Sequence, residues 1–515
     1  MSNALNRTLM ELCASVEAKG LSGDRYRQRF HVMPPVGWMN DPNGLCQADG
    51  VFHAYFQYAP FDVNGGLVFW GHATTRDLLH WEYDRAVLAP DTPYDCHGAY
   101  SGSAVVHDGK VTMLYTGNVK LPDADGTFDY VNAGRVANTL MAETSDGSTF
   151  GPKRLLMTNA DYPSDDTCHV RDPFVWWDAD EGRYLMLQGA RRRGEGTEYA
   201  SRFAPMHGAS AGSDVGEVLV FASDDLLSWE LLNRVSSSER FGFMWECPGY
   251  TKLPSARGSA PLKVLSVSPQ GLEGDPWDRR NIYQSGYFPV EGDVAGECEL
   301  GTFHLWDTGF DFYAPQMFHA QDGRALLIGW MGMPRDEKAY GNDPTVAEGW
   351  QHCLTFPREL TADADGAVLQ APAREIEAAH GDGNITKDVL SLKDVPAFDL
   401  EVKGISAEGG FHAVLAGGLH LAWLPAASDE SGEFLPARFE MRFDDPSRQA
   451  MGCGRTVRWE SVDELKQVRV VGDISSIEVF VNGGELVMST RYYPEAYSLE
   501  VKAPGSDIRV WELCI

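Results

Sequence analysis

FVWWDADEGRYLMLQG, residues 174–189, reads as one β-hairpin: two apolar, aromatic-rich segments flank a turn that ends at Gly182. Aromatic and branched side chains suit a half-buried pleated strand, and acidic residues followed by glycine supply the backbone of a tight turn. The pattern comes four more times, as LCQADGVFHAYFQ (45–57), AVVHDGKVTMLYTG (104–117), a looser YTKLPSARGSAPLKVLSVS (250–268) and FHAQDGRALLIGW (318–330). The turn glycines Gly50, Gly109, Gly182, Gly258 and Gly323 stand 59, 73, 76 and 65 residues apart. A weaker motif interleaves: TTRDLLHW (74–81), ETSDGSTF (143–150) and ASDDLLSW (222–229), each an outer strand turning a corner. Five units of four short strands predict an all-β fold, a five-bladed β-propeller. An open sandwich of similar hairpins would leave the same periodicity.

The surrounding chain sets the limits. Its 515 residues are enough for two to four domains, and 43% hydrophobic residues with 14 Trp supply a large core. Disordered, collagen-like and coiled-coil classes are excluded. Acidic residues number 74 against 43 basic, a net charge of −31. That field repels phosphodiester backbones and anionic lipid, so neither nucleic acid nor membrane is expected as partner, and a small neutral ligand is. Nine widely spaced cysteines with no CxxC read as free thiols of a reducing compartment. At the N-terminus Leu5, Leu9, Leu12 and Val16 recur at helical spacing, which predicts an amphipathic helix over 4–19 stopped by Gly20. The segment has no apolar core flanked by basic residues, as a signal peptide would, and no stretch is long enough to cross a bilayer. A cytoplasmic location is therefore expected.

After LTFPREL (354–360) the hairpins stop. APAREIEAAHG (371–381) reads as a short helix, and the strands that follow form a module of sandwich size. The expected layout is a helical extension over 1–25, a propeller over 26–362, a linker with a short helix over 363–385 and a C-terminal β-sandwich over 386–515.

A propeller gathers the residues that precede each hairpin turn around one channel. Asp41, Asp172 and Glu246 precede their turn glycines by 9, 10 and 12 residues. They stand in WMNDPNG (38–44), RDPF (171–174) and ECPG (246–249), each with proline within two positions. Proline fixes φ and removes a donor, which suits an irregular start to a strand. Asp-Pro and Asn-Gly are also ordinary turn signals, but Glu-Cys-Pro is not one. Paired carboxylates around a polar, aromatic-rimmed pocket suit glycosidic bond cleavage, with one attacking carboxylate and one proton donor. Glu246, beside Trp245 and after Phe243 and Met244, has the more apolar setting and is expected to hold a raised pKa as donor. Asp172 beside Arg171 and Asp41 between Asn40 and Asn43 are expected to stay ionised, Asp41 as nucleophile.

These motifs resemble those of glycoside hydrolase family 32, the invertase-type β-fructosidases, over nearly the whole chain from about residue 26. WMNDPNG resembles the family's nucleophile motif, RDP its transition-state motif and ECP its acid/base motif. FQY (56–58), FWGHAT (69–74), YSGSAV (100–105), NIYQSGYF (281–288), DFYAPQ (311–316), GWMGMP (329–334), LTFPREL and SSIEVFVNGGE (475–485) continue the match. The resemblance implies a propeller followed by a sandwich, a retaining mechanism and neither metal nor cofactor. It implies Asp41 as nucleophile, Asp172 as stabiliser and Glu246 as acid/base, with Asn40, Gln57, Trp70, Ser101 and Arg171 on the fructosyl unit. Tyr100 replaces the more usual Phe before Ser101. A Gly- and Ser-rich insertion over 191–216 begins ArgArgArg, a positional candidate for an anion contact.

Other motifs are weaker. DADG at 123–126 and 363–366 lacks the distal Glu of a calcium loop, and no phosphate-binding GxxxxGK[ST] or paired-histidine motif occurs. Cys247 is read as tuning its neighbour Glu246, not as a reactive thiol. Three functions remain: hydrolysis of terminal β-fructosyl linkages in sucrose, sucrose 6-phosphate or fructo-oligosaccharides; fructosyl transfer through the same intermediate; and a non-catalytic sugar-binding propeller. The three intact acids favour hydrolysis or transfer. Oligomeric state is not legible.

Overall fold

The computed structural model describes residues 4–107, 109–122, 126, 134–194, 213–254, 260–272, 274, 280–336, 339–363, 366–428, 432 and 434–515. The turn at Gly258, most of the loop at 123–129, residues 364–365 and the interior of the 191–216 insertion lie outside the described residues. Five sheets follow one another, each carrying four antiparallel strands hydrogen-bonded in sequence order, and three of them add a short fifth strand. Their innermost strands are Gly37–Ala48, Ala99–His107, Asp166–Asp178, Met244–Leu253 and Tyr313–His319, and the blades are numbered I–V in that order. Each inner strand turns back as the hairpins require. Gly50, Gly109, Gly182 and Gly323 take φ of 74°, 72°, 67° and 87°, where a side chain would be strained. Trp350–Gln351, beyond the second strand of blade V, adds in parallel to the start of blade I and closes the ring.

The prolines mark a shared irregularity. Every inner strand loses register against its neighbour at one level: between Met39 and Pro42, Ala99 and Gly102, Glu246 and Gly249, Tyr313 and Gln316, and opposite Leu187–Gly189 in blade III. In blades III, IV and V the residue before proline is left-handed: Asp172 at φ 60°, Cys247 at 46° and Ala314 at 47°. Such a non-glycine residue costs about 1–3 kcal/mol and persists only where the surroundings hold it. These bulges turn side chains out of the ladder and toward the axis at one end of the channel.

The C-terminal module is two layers around Leu400, Leu421, Phe439, Val470, Val479 and Val501. One long strand, Ser498–Leu513, serves both: its first half pairs with Phe411–Leu415 and its second with Phe398–Lys403. The expected linker is corrected. Val368–Pro372 is the outer strand of blade V, Arg374–Ala379 is a short 3₁₀ helix and His380–Lys393 is already a sandwich strand. Alternation over so short a stretch could not separate an edge strand from a linker.

The N-terminal helix spans Ala4–Glu17. Its buried face is Leu9, Met10, Cys13 and Val16, whereas Leu5 and Leu12 are half exposed. The buried stripe is rotated from the leucine repeat because Met10 and Cys13 are apolar as well. Sandwich and propeller are joined by buried charge. Glu478 receives Arg358 Nη2 at 2.7 Å, His31 Nε2 at 3.1 Å and the Phe356 amide at 2.7 Å. Arg358 also reaches Asp307 at 3.0 Å, His31 reaches Asp473 at 2.8 Å, and Arg455 forks onto Asp311 at 2.7 and 2.8 Å.

Candidate active site

The bulges bring Asp41, Asp172 and Glu246 to one end of the propeller axis. Asp41 is 8% and Asp172 4% exposed. Cys247 ties them together: its amide donates to Asp172 Oδ2 at 3.0 Å, and its sulfur lies 3.5 Å from that oxygen and 3.6 Å from Asp41 Oδ2. Arg171 bridges the other pair, with Nε 3.0 Å from Asp172 Oδ1 and Nη1 3.3 Å from Glu246 Oε1. Asp172 is seated by its own amide, which donates to Thr116 Oγ1 at 2.8 Å. Around Asp41, Asn40 donates to Oδ1 at 3.1 Å, Gln57 to Oδ2 at 3.2 Å, and the Ser101 hydroxyl to Oδ2. Half-buried Trp38, Tyr100, Tyr283 and Tyr340 line the mouth: Trp38 donates to Asn40 at 2.9 Å, and Tyr100 lies under Arg171 at 5.1 Å.

The electrostatics overturn one expectation. Burial, then the charge of Asp172, raise the Asp41 carboxyl to about 6 against the opposing hydrogen bonds from Ser101 and Asn40. For Glu246, burial raises the pKa but the Arg171 charge and contacts from His169 and Tyr313 outweigh it, so its carboxyl is held below the usual range. Tyr313 donates to Oε2 at 3.0 Å and His169 Nε2 stands 3.4 Å from Oε1. The apolar neighbours Trp245 and Met244 face away into the core, so sequence proximity misjudged the setting. Burial, and the charges of Arg135 and Arg171, push His169 down to about 3, so it meets Glu246 as a neutral ring. Burial and the three carboxylates push the Cys247 thiol well up, which keeps it protonated and unreactive.

Asn40, Gln57, Tyr100, Ser101 and Arg171 all sit around the acids. Trp70 does not: it is fully buried, and its indole donates to the Tyr100 carbonyl at 3.0 Å. Its side chain supports the floor under Tyr100 and Ser101. Two of the three ArgArgArg side chains are already engaged, and Arg193 is exposed. Arg191 is fully buried on Asp214 at 2.7 Å and over Phe243, and Arg192 meets Glu217 at 3.2 Å. Sequence reasoning passed over His169, Tyr313 and Thr116. For His169 a signal existed, since residues two apart on a strand share a face and His169 precedes Arg171 by two. Among the described residues no three His, Cys, Asp or Glu side chains are grouped to hold a metal ion.

The sequence profile of the glycosyl hydrolases family 32 N-terminal domain matches residues 31–204 and 195–372, and that of the family's C-terminal domain matches 430–512. The chain belongs to glycosyl hydrolase family 32. It is 35% identical over 510 residues to the sucrose-6-phosphate hydrolase of Bacillus subtilis, covering 96% of this chain and 95% of that one. It is 32% identical over 498 residues to the raffinose invertase of Escherichia coli, covering 93% and 92%. The structure of sucrose-6-phosphate hydrolase from Lactobacillus gasseri superposes with a TM-score of 0.80 at 25% identity, over 98% of this chain and 96% of that one. A family 32 β-fructofuranosidase of Bombyx mori in complex with sucrose gives 0.76 at 26% identity, over 100% and 99%. The family 32 member described here is thus a glycoside hydrolase with a five-bladed propeller and a C-terminal sandwich. No described helix is long and apolar enough to cross a membrane.

Proposed function

We propose that this family 32 enzyme hydrolyses the terminal β-D-fructofuranosyl unit of sucrose, sucrose 6-phosphate and short fructo-oligosaccharides with retention of configuration, in the cytoplasm. The observation that carries the reading is the enclosed meeting of Asp41, Asp172 and Glu246 through Cys247 and Arg171. Relatives named for sucrose-6-phosphate and raffinose cleavage support the substrate class, and nine free cysteines support the compartment.

In this reading an Asp41 oxygen attacks the anomeric carbon while the bond to the leaving oxygen breaks and Glu246 passes its proton to that oxygen. Glu246 then takes a proton from water, whose oxygen attacks the same carbon and frees fructose and Asp41. Asp172, Arg171, Asn40, Gln57, Ser101 and Tyr100 hold the fructosyl ring. Glu246 can donate only if it carries a proton, which Arg171 opposes in the unliganded site. Sugar hydroxyls that draw Arg171 toward Asp172 would relieve that opposition and raise Glu246 when the leaving group is in place.

The test is fructose release from sucrose and sucrose 6-phosphate, compared as kcat/KM, with the first anomer followed by NMR. Cleavage of at least one disaccharide with the β-anomer formed first is expected. Failure on both, or an inverted first product, rejects the proposal. If transfer products exceed free fructose at high sucrose, the enzyme is a fructosyltransferase instead.

A further inference from the structure

The inner strands run on past the acids to the opposite face of the propeller, where their far ends line a second pocket of about 500 Å³. All five blades contribute to it. It is separated from the acids by Gln316 of blade V, whose amide donates to the Gly102 carbonyl at 2.9 Å and whose oxygen accepts from the Leu45 amide at 2.7 Å. That one side chain bolts blades I, II and V across the axis. Only a cramped space walled by Asn43, Asp172, Phe174 and Gln316 lies on its inner side.

The far pocket is built for a ligand. Trp177 lines it and is 48% exposed, unusual for an indole, with Tyr184 set edge-on at 4.9 Å. Tyr250 also lines it at 6% exposure, and its buried hydroxyl has no hydrogen-bond partner among the described residues. Lys252 reaches Asp180 at 2.7 Å and Asp178 at 3.3 Å, and Thr251 meets His319 at 3.0 Å.

Two carboxylates against one ammonium disfavour an anion. An apolar ligand would cover Lys252, Thr251 and His319 without replacing their hydrogen bonds to water. A neutral sugar meets both needs, with a C–H face for the indole and hydroxyls for Lys252 and the two aspartates, and a volume of about 500 Å³ lies within the range of small-molecule sites. We propose that the far mouth of the propeller is a second, non-catalytic carbohydrate site for a neutral di- or trisaccharide, with Trp177 as its stacking platform and Lys252 and Asp180 as its polar contacts. It does not rest on the roles given to the three acids.

The experiment is calorimetric titration of the full chain carrying Asp41→Asn, which blocks turnover, with the neutral trisaccharide 1-kestose. Two independent binding events are expected. Adding Trp177→Ala should weaken one of them about tenfold or more, and adding Lys252→Met should weaken that same event about fivefold. Both variants should leave the other event and the melting temperature in place. A single event indifferent to Trp177→Ala and Lys252→Met overturns the proposal. A lone event that is lost with Trp177 upholds it and counts instead against sugar binding at the acids.

Discussion

Two buried charge clusters in this molecule obey opposite rules. Between propeller and sandwich, Glu478 is met by Arg358, His31 and a backbone amide, and Arg358 and His31 each reach a further carboxylate. At the mouth of the propeller three carboxylates share one directly bridging cation, Arg171, and two oxygens face a thiol. The first arrangement neutralises its charge in place and serves as a joint. The second leaves negative charge crowded, so burial and Asp172 lift Asp41 while Arg171 pulls Glu246 down. Pairing makes structure, and its deliberate shortfall leaves carboxylates whose protons can move.

The sharpest way to break this contrast is to remove one acid from each cluster. Asp41→Asn should cut kcat by about 10³-fold or more with the melting temperature unchanged or raised. Turnover near the parent rate by the folded variant would remove Asp41 from the mechanism. Glu478→Ala leaves Arg358 with Asp307 and His31 with Asp473 as their remaining carboxylates, breaks the joint between them, and should cost about 3–5 kcal/mol of stability, read from denaturant unfolding. The kcat of its folded fraction should hold near that of the parent. An unchanged midpoint would show that the joint is not stabilising.

A smaller effect tests geometry instead of charge. A Cβ at Gly189 would fall 1.9 Å from the Trp245 carbonyl, so blade III needs glycine there for blade IV to lie against it. Gly189→Ala should shift Glu246 and lower kcat by about 10²-fold. A parental kcat would mean that the strand has slack. The smallest effect is on pH. Asp41 must be ionised to attack, so with its carboxyl near 6 the acid limb of kcat/KM should fall below about pH 6. Ser101→Ala removes a hydrogen bond that favours the charged form, and should move that limb to higher pH. A limb that moves to lower pH would contradict the assignment.

The hairpins, the five blades and the three acids were legible because each rests on local sequence: Asp-Gly turns, alternating strands and acids beside proline. The proton balance was not. Glu246 sits among apolar neighbours in sequence, but its carboxyl is governed by Arg171, His169 and Tyr313, which reach it from two other blades. Trp70 was misplaced for a related reason, because a strand residue's motif does not say whether its side chain faces the channel or the layer beneath. Ring closure by Trp350–Gln351 was invisible as well, since two residues carry no periodicity.

That closure also bears on how the chain is made. The first blade's opening strand pairs with Trp350, and His31 waits for Glu478, which lies 447 residues downstream. At about 5–20 residues per second of synthesis, roughly 20–90 s pass before His31 can meet its partner. For about 15–60 s of it, until Trp350 is made, the start of blade I is an open sheet edge, free to pair with another chain. A nascent-chain chaperone or a slowed ribosome should therefore matter more for the yield of this protein than for its final stability.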